Sequence, residues 1–132
     1  MIAVIDACGM VEILLRKEKA GKFNQVMQEV DIVIAPDLFV SELTNTLWKY
    51  HTAKKYTKGE CIEYIKYGVN YIDRFFNTRQ IWEEAFAEGI NNSHSIYDMF
   101  YMVTARRNSG ILITNDSDLA AICKKNRIPV CF

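Results

Sequence analysis

Hydrophobic positions along this chain follow two rhythms. Short unbroken apolar runs occur in "IAVI" (Ile2 to Ile5), "DIVIAP" (ending at Pro36), "ILIT" (ending at Thr114) and the closing "IPVCF". Runs this short, bounded by charged or turn-forming residues, read as strands buried on both faces. Between them apolar residues recur at helical spacing. That spacing predicts helices from about Met10 to Ala20, where Gly21 punctuates the run, and from about Phe23 to Val30. Asp37 is placed to cap a third helix with Leu38, Val40, Leu43, Leu47 and Trp48 on its apolar face.

The longest predicted helix runs from about Lys58 to Phe76. Ile62, Ile65, Val69 and Ile72 form its core stripe, and Tyr64, Tyr67, Tyr71 and Phe75 form a second. Two apolar stripes describe either a wide core face or a face kept for another subunit or a partner's helix. "RQIW" reads as a short edge strand. Helices follow from about Glu83 to Gly89, Ile96 to Asn108 and Ser117 to Lys125. No repeat, linker or low-complexity segment breaks the pattern, so residues 1–132 are expected to form one domain. Strands alternating with helices imply an α/β fold: a three-layer α/β/α sandwich around a parallel sheet of about four or five strands.

Composition narrows the class. Sixteen Lys and Arg balance sixteen Asp and Glu, so no overall positive field announces a nucleic-acid binder. Cys8, Cys61, Cys123 and Cys131 form no C-x-x-C pair, and His51 and His94 lack metal-ligand spacing to any of them. That disfavours zinc and suits reduced thiols in a cytoplasmic protein. No basic leader or membrane-length apolar run is present, so the expectation is no membrane association.

The candidate chemistry lies in acids. Asp6 ends the first apolar run, although protein interiors reject charge. In open parallel sheets the working crevice lies beyond the carboxyl ends of the strands. Asp6 falls there; Asp116 and Asp118 follow "ILIT"; Asp98 opens the helix in "SIYDMFY"; Glu42 lies one turn into the helix after "VIAPD". Each has a structural explanation. Asp6 and Asp116 suit helix N-caps, Ser95 and Asp98 have capping-box spacing, and Glu42 reads as a solvated helix charge. Gathered at one sheet edge, such like charges raise one another's pKa values unless a divalent cation neutralises them. An oxygen-only ligand set suits Mg²⁺ or Mn²⁺.

"VIDACG", "APDLFVSELTNTLWK", "SIYDMFYMVTA" and "ILITNDSDL" resemble, in order, the acidic motifs of the PIN (PilT N-terminus) domain nucleases. The compact length is similar to the VapC-type toxins of type II toxin–antitoxin pairs. The resemblance implies metal-dependent cleavage of RNA phosphodiester bonds, with Asp6, Glu42, Asp98 and Asp116 as catalytic and metal-site acids and Mg²⁺ or Mn²⁺ as cofactor. It implies accessory roles for Asp118, Thr114 and Asn45. A cognate antitoxin and a homodimer are the implied partners, with the aromatic stripe from Tyr64 to Phe75 as a candidate contact. Two positions depart from the family pattern: Cys8 stands where Ser or Thr is usual, and Met99 where a small residue is usual.

An acidic pocket repels a phosphate chain, so nearby cations are needed to guide RNA. Lys49 and Lys54, and Arg106 and Arg107, are the candidates among the basic clusters. Three other readings compete. A noncatalytic protein-binding module would use the acids only as caps. A haloacid-dehalogenase-type phosphohydrolase needs D-x-D after the first strand, where this chain has Asp6-Ala7-Cys8. A receiver domain needs paired N-terminal acids and a late lysine at a strand end, and neither is clear.

Overall fold

The structure, a computed structural model, describes residues 1–132. Its elements in chain order are β1 (Ile2–Ile5), α1 (Ala7–Leu14), α2 (Ala20–Met27), β2 (Ile32–Pro36), α3 (Leu38–Thr52), α4 (Lys58–Asn70), β3 (Arg74–Phe76), α5 (Trp82–Asn92), α6 (Ile96–Arg107), β4 (Ile111–Ile113), α7 (Ser117–Lys125) and β5 (Val130–Cys131). A short 3-10 turn, Thr78–Gln80, precedes α5.

The five strands form one parallel sheet in the order β3-β2-β1-β4-β5. Ala3 pairs with Val33 on one side and Ile111 on the other, so β1 is the central strand. Its Ala3, Val4 and Ile5 are fully buried, as the unbroken apolar run requires of a strand covered on both faces. Right-handed crossovers put α1 to α4 on one face of the sheet and α5 to α7 on the other. Helix contacts divide the same way: α1 packs on α2, α3 and α4, whereas α6 packs on α5 and α7 and lies over β1, β2 and β4. One cluster of 29 buried residues joins the sheet to both layers. No helix is long and apolar enough to cross a membrane.

Several expectations are corrected. The predicted long helix stops at Asn70, and Arg74–Phe76 is a strand, so Phe75 does not continue the aromatic stripe. Asp73 breaks the helix: its N–H donates to Val33 O (2.8 Å) and its Oδ2 accepts from Val33 N–H (2.7 Å), clamping the chain to β2. Along α4 the buried positions are Cys61 and Gly68, and Ile62 is exposed. "RQIW" makes no strand; it holds the end of the 3-10 turn and the start of α5. Asp37 precedes α3 without capping it, its Oδ1 accepting instead from Thr78 N–H at 3.3 Å. Val40 and Trp48 are exposed, leaving Phe39, Leu43 and Leu47 as the buried face of α3.

Candidate active site

The chain winds outward from β1 through β2 and β3, then returns to the other side of β1 as β4. At such a reversal a crevice opens beyond the carboxyl ends of the two diverging strands. Asp6 immediately follows β1, and its N–H donates to Ile113 O of β4 at 3.2 Å, so sheet pairing extends up to the acid. Its Oδ1 caps α1 by accepting from Gly9 N–H at 2.7 Å and also accepts from the Cys8 thiol at 3.2 Å. Its Oδ2 accepts from the Thr114 hydroxyl. Burial pushes the Asp6 carboxyl up to about 7; the charge of Asp98 adds to the rise, and the bonds from Thr114, Gly9 and Cys8 oppose it.

Glu42 stands in the second turn of α3 and accepts from the Tyr101 hydroxyl through Oε1 at 2.6 Å. Tyr101 is on α6, so this bond joins the two helical layers over the end of the sheet. Burial raises the Glu42 carboxyl above its ordinary range, Asp98 adds to the rise, and the tyrosine bond lowers it. Burial and the neighbouring Glu42 drive the Tyr101 hydroxyl upward, keeping it a proton donor. Asp98, in the first turn of α6, is raised by burial and by the charges of Asp116 and Asp118, against the hydrogen bond from His94. Asp98 is therefore the meeting point: it interacts electrostatically with Asp6, Glu42, Asp116 and Asp118.

Asp116 caps α7, its Oδ1 accepting from the N–H groups of Asp118 (2.9 Å) and Leu119 (3.0 Å). The cap explanation thus holds for Asp6 and Asp116. It fails for Asp98, because Ser95 makes no side-chain cap and Asp98 bonds to His94 instead. Nor is Glu42 simply solvated. Of the accessory positions, Thr114 joins the cluster directly, accepting from Asp116 N–H at 3.0 Å while donating to Asp6. Asp118 is exposed on the first turn of α7, and Asn45 is exposed one turn beyond Glu42.

The basic candidates stand apart from the acids. Lys49 lies about 10 Å along α3 from Glu42 at ~1.5 Å per residue, and Lys54 lies past the end of that helix. Arg106 and Arg107, the other two candidates, tie two helices together. They sit in the last turn of α6, roughly 12 Å along its axis from Asp98. Each grips Glu84 of α5 at 2.6 Å, and Arg106 reaches Glu88 at 3.4 Å. Sequence reasoning missed Tyr101, His94 and Glu12. Glu12 is 3% exposed and accepts from Asn115 Nδ2 (3.1 Å) and Lys19 N–H (3.0 Å), pinning the loop that carries Asp116. The one local signal was the four-residue step from His94 to Asp98; Glu42 and Asn115, the partners of Tyr101 and Glu12 at this edge, are remote in sequence.

No three His, Cys, Asp or Glu side chains form a ready-made ion-binding group; each clustered carboxylate is turned onto a protein donor. The donor chemistry nonetheless fits a hard divalent cation. The oxygens are carboxylate oxygens, and the nearby Cys8 thiol is pushed up to about 12 by burial and Asp6, so it is no thiolate ligand.

Comparison with known proteins places this edge in context. Ribonuclease VapC3 of Pyrobaculum aerophilum is 21% identical over 122 residues, spanning 91% of this chain and 93% of that protein. Among solved structures, PAE2754 from Pyrobaculum aerophilum superposes with a TM-score of 0.75 at 16% identity, covering 92% of this chain and 84% of that one. VapBC2 from Rickettsia felis, solved bound to a DNA fragment from their promoter, gives 0.63 at 14% identity over 98% and 94%. At these identities the likeness establishes the fold. A family model described as PIN domain matches residues 3–125. That match runs unbroken from β1 to the end of α7 and takes in every acid at the sheet edge, and on it the chain belongs to the PIN domain family.

Proposed function

We propose that this protein is a divalent-metal-dependent endoribonuclease acting as the toxin of a toxin–antitoxin pair, with Asp6, Glu42, Asp98 and Asp116 holding the metal. The observation that carries the reading is the convergence of these carboxylates on Asp98, with Asp6, Glu42 and Asp98 all raised above their ordinary range. Mg²⁺ or Mn²⁺ bound there would lower the pKa of a water molecule and offset charge on the scissile phosphate. The protein's own part is to hold the acids in place. Thr114 and Gly9 fix the two oxygens of Asp6, Tyr101 fixes one oxygen of Glu42, and the α7 start fixes one of Asp116. Lys49, exposed on the same helix as Glu42, is the candidate for steering RNA toward the edge.

The Ribonuclease VapC3 relative supports RNA as substrate, and the VapBC2 neighbour supports an antitoxin partner. Assembly with that partner, or as a homodimer, has a candidate surface in a cleft of about 710 Å³ between the α1–α2 segment and α4, lined by Leu14, Tyr64, Tyr67 and Tyr71.

The test is cleavage of labelled RNA by purified protein with Mg²⁺ or Mn²⁺ and with excess chelator. Cleavage is expected only with the metal, and Asp98→Asn is expected to lower it by about 10²-fold or more while the melting temperature stays near that of the parent. Undiminished cleavage in chelator refutes the proposal. A protein that neither binds metal nor cleaves RNA is the noncatalytic binding module.

A further inference from the structure

We propose that His94 is a positioning residue for Asp98, a role that rests on reading the acidic edge as a divalent-metal site. His94 Nε2 lies 2.7 Å from Asp98 Oδ2, and the two side chains are only 20% and 24% exposed. The contact takes up one carboxylate oxygen and leaves Oδ1 for a second partner. A first-turn aspartate otherwise rotates among several rotamers or turns back to cap its own helix. Here the capping alternative is vacant, because Ser95 makes no side-chain cap. The histidine, and not the helix start, sets the orientation of Asp98.

The backbone is built to hold the ring there. Ser93 takes a left-handed conformation (φ 49°) as the cap of α5, and His94 N–H closes the turn on Gly89 O at 3.1 Å. The turn is tight enough that a Cβ on Gly89 would lie 3.2 Å from His94 O and 3.0 Å from Ile96 Cγ1. Asn92 anchors the same turn, donating to Glu88 O at 2.8 Å and accepting from Asn126 Nδ2 at 3.1 Å. His94 is thus delivered by one rigid element onto the first turn of the next. A metal-ligating carboxylate held by such an outer partner binds its ion more tightly, because the partner removes the orientational freedom the ion would otherwise have to suppress.

The role does not require the ring to change charge. An Nε2–H donor exists in both the neutral Nε2-protonated ring and the imidazolium.

The experiment is calorimetric titration of the purified metal-free protein with Mn²⁺ at fixed pH, with a melting curve for each variant. His94→Leu is expected to weaken Mn²⁺ binding about tenfold or more. His94→Gln, whose amide nitrogen reaches the place of Nε2, is expected to stay within about threefold of the parent. His94→Asn, polar but one bond shorter, is expected to behave like His94→Leu, and it carries the comparison if the leucine variant does not fold. In an Asp98→Asn background, His94→Gln and His94→Asn are expected to bind alike. Mn²⁺ affinity unchanged in His94→Leu, or equal losses in His94→Gln and His94→Asn, would overturn the role of His94 alone. A parent protein that binds no Mn²⁺ overturns the metal-site reading and this role together.

Discussion

Asp6 is a carboxylate that folding removes from water, being 5% exposed at the junction of β1 and β4. Its carboxyl is raised to about 7 by burial, so the folded protein holds the Asp6 proton more tightly than the unfolded chain does. The stability this contributes is fully present below the unfolded value near 3.8 and is lost as pH rises through about 7. Cys8, Thr114, Gly9 and Asp98 surround the group, and only Asp98 adds like charge. The metal-free Asp6→Asn protein, with nothing to ionise, is expected to melt higher than the parent at pH 8 and close to it at pH 4. Thermal unfolding in chelator at the two pH values checks this; equal melting temperatures at pH 8 would refute it. Asp6 and Asp116 were legible because an acid just before a helix has a known use. Tyr101 was not, because its partner Glu42 lies 59 residues away and nothing local marks the pairing.

Element boundaries show where local pattern gives way to tertiary contact. The strand after α4 could not be separated from the helix by periodicity, since Tyr64, Tyr67, Tyr71 and Phe75 keep helical spacing across the break. What ends the helix is the Asp73 clamp on Val33, a contact with a strand 40 residues earlier. The start of α1 is set just as locally in space. Asp6 caps it, so it begins at Ala7 and not near Met10 as the apolar spacing alone suggested. Gly9 makes that start possible: a Cβ there would lie 2.8 Å from Ile113 O and 3.1 Å from Asp6 Oδ1. Because the obstacle is backbone of the sheet, Gly9→Ala is expected to cost about 1–3 kcal/mol, read as a lower urea midpoint. A variant as stable as the parent would show that α1 shifts freely against β4.

At the scale of the molecule, alternation of strands and helices was enough to foresee a parallel three-layer fold, whereas strand order was not. Nothing in "IAVI" announces that it lies between "IVIAP" and "ILI", yet that placement creates the crevice where the acids meet. On the proposed metal site, ion binding would be linked to global stability: Mn²⁺ at about a hundred times its dissociation constant would add about 2.7 kcal/mol to the folded state. The parent is therefore expected to melt higher in Mn²⁺ than in chelator, and Asp98→Asn is expected to lose that difference. A rise of equal size in both proteins would place the ion elsewhere.

The central strand carries a consequence for how the protein comes into being. β1 is synthesised before the other four strands of the sheet, but one of its two neighbours is β4, and the Asp6–Thr114 bond joins residues 108 apart. Until β4 and Thr114 emerge, β1 has an open side and Asp6 lacks both its hydroxyl partner and the strand it packs beside. A chain cut short before Ile111 therefore leaves Asp6 without its neighbouring strand, and the acidic edge closes only after a long-range pairing, the slow kind of step in folding.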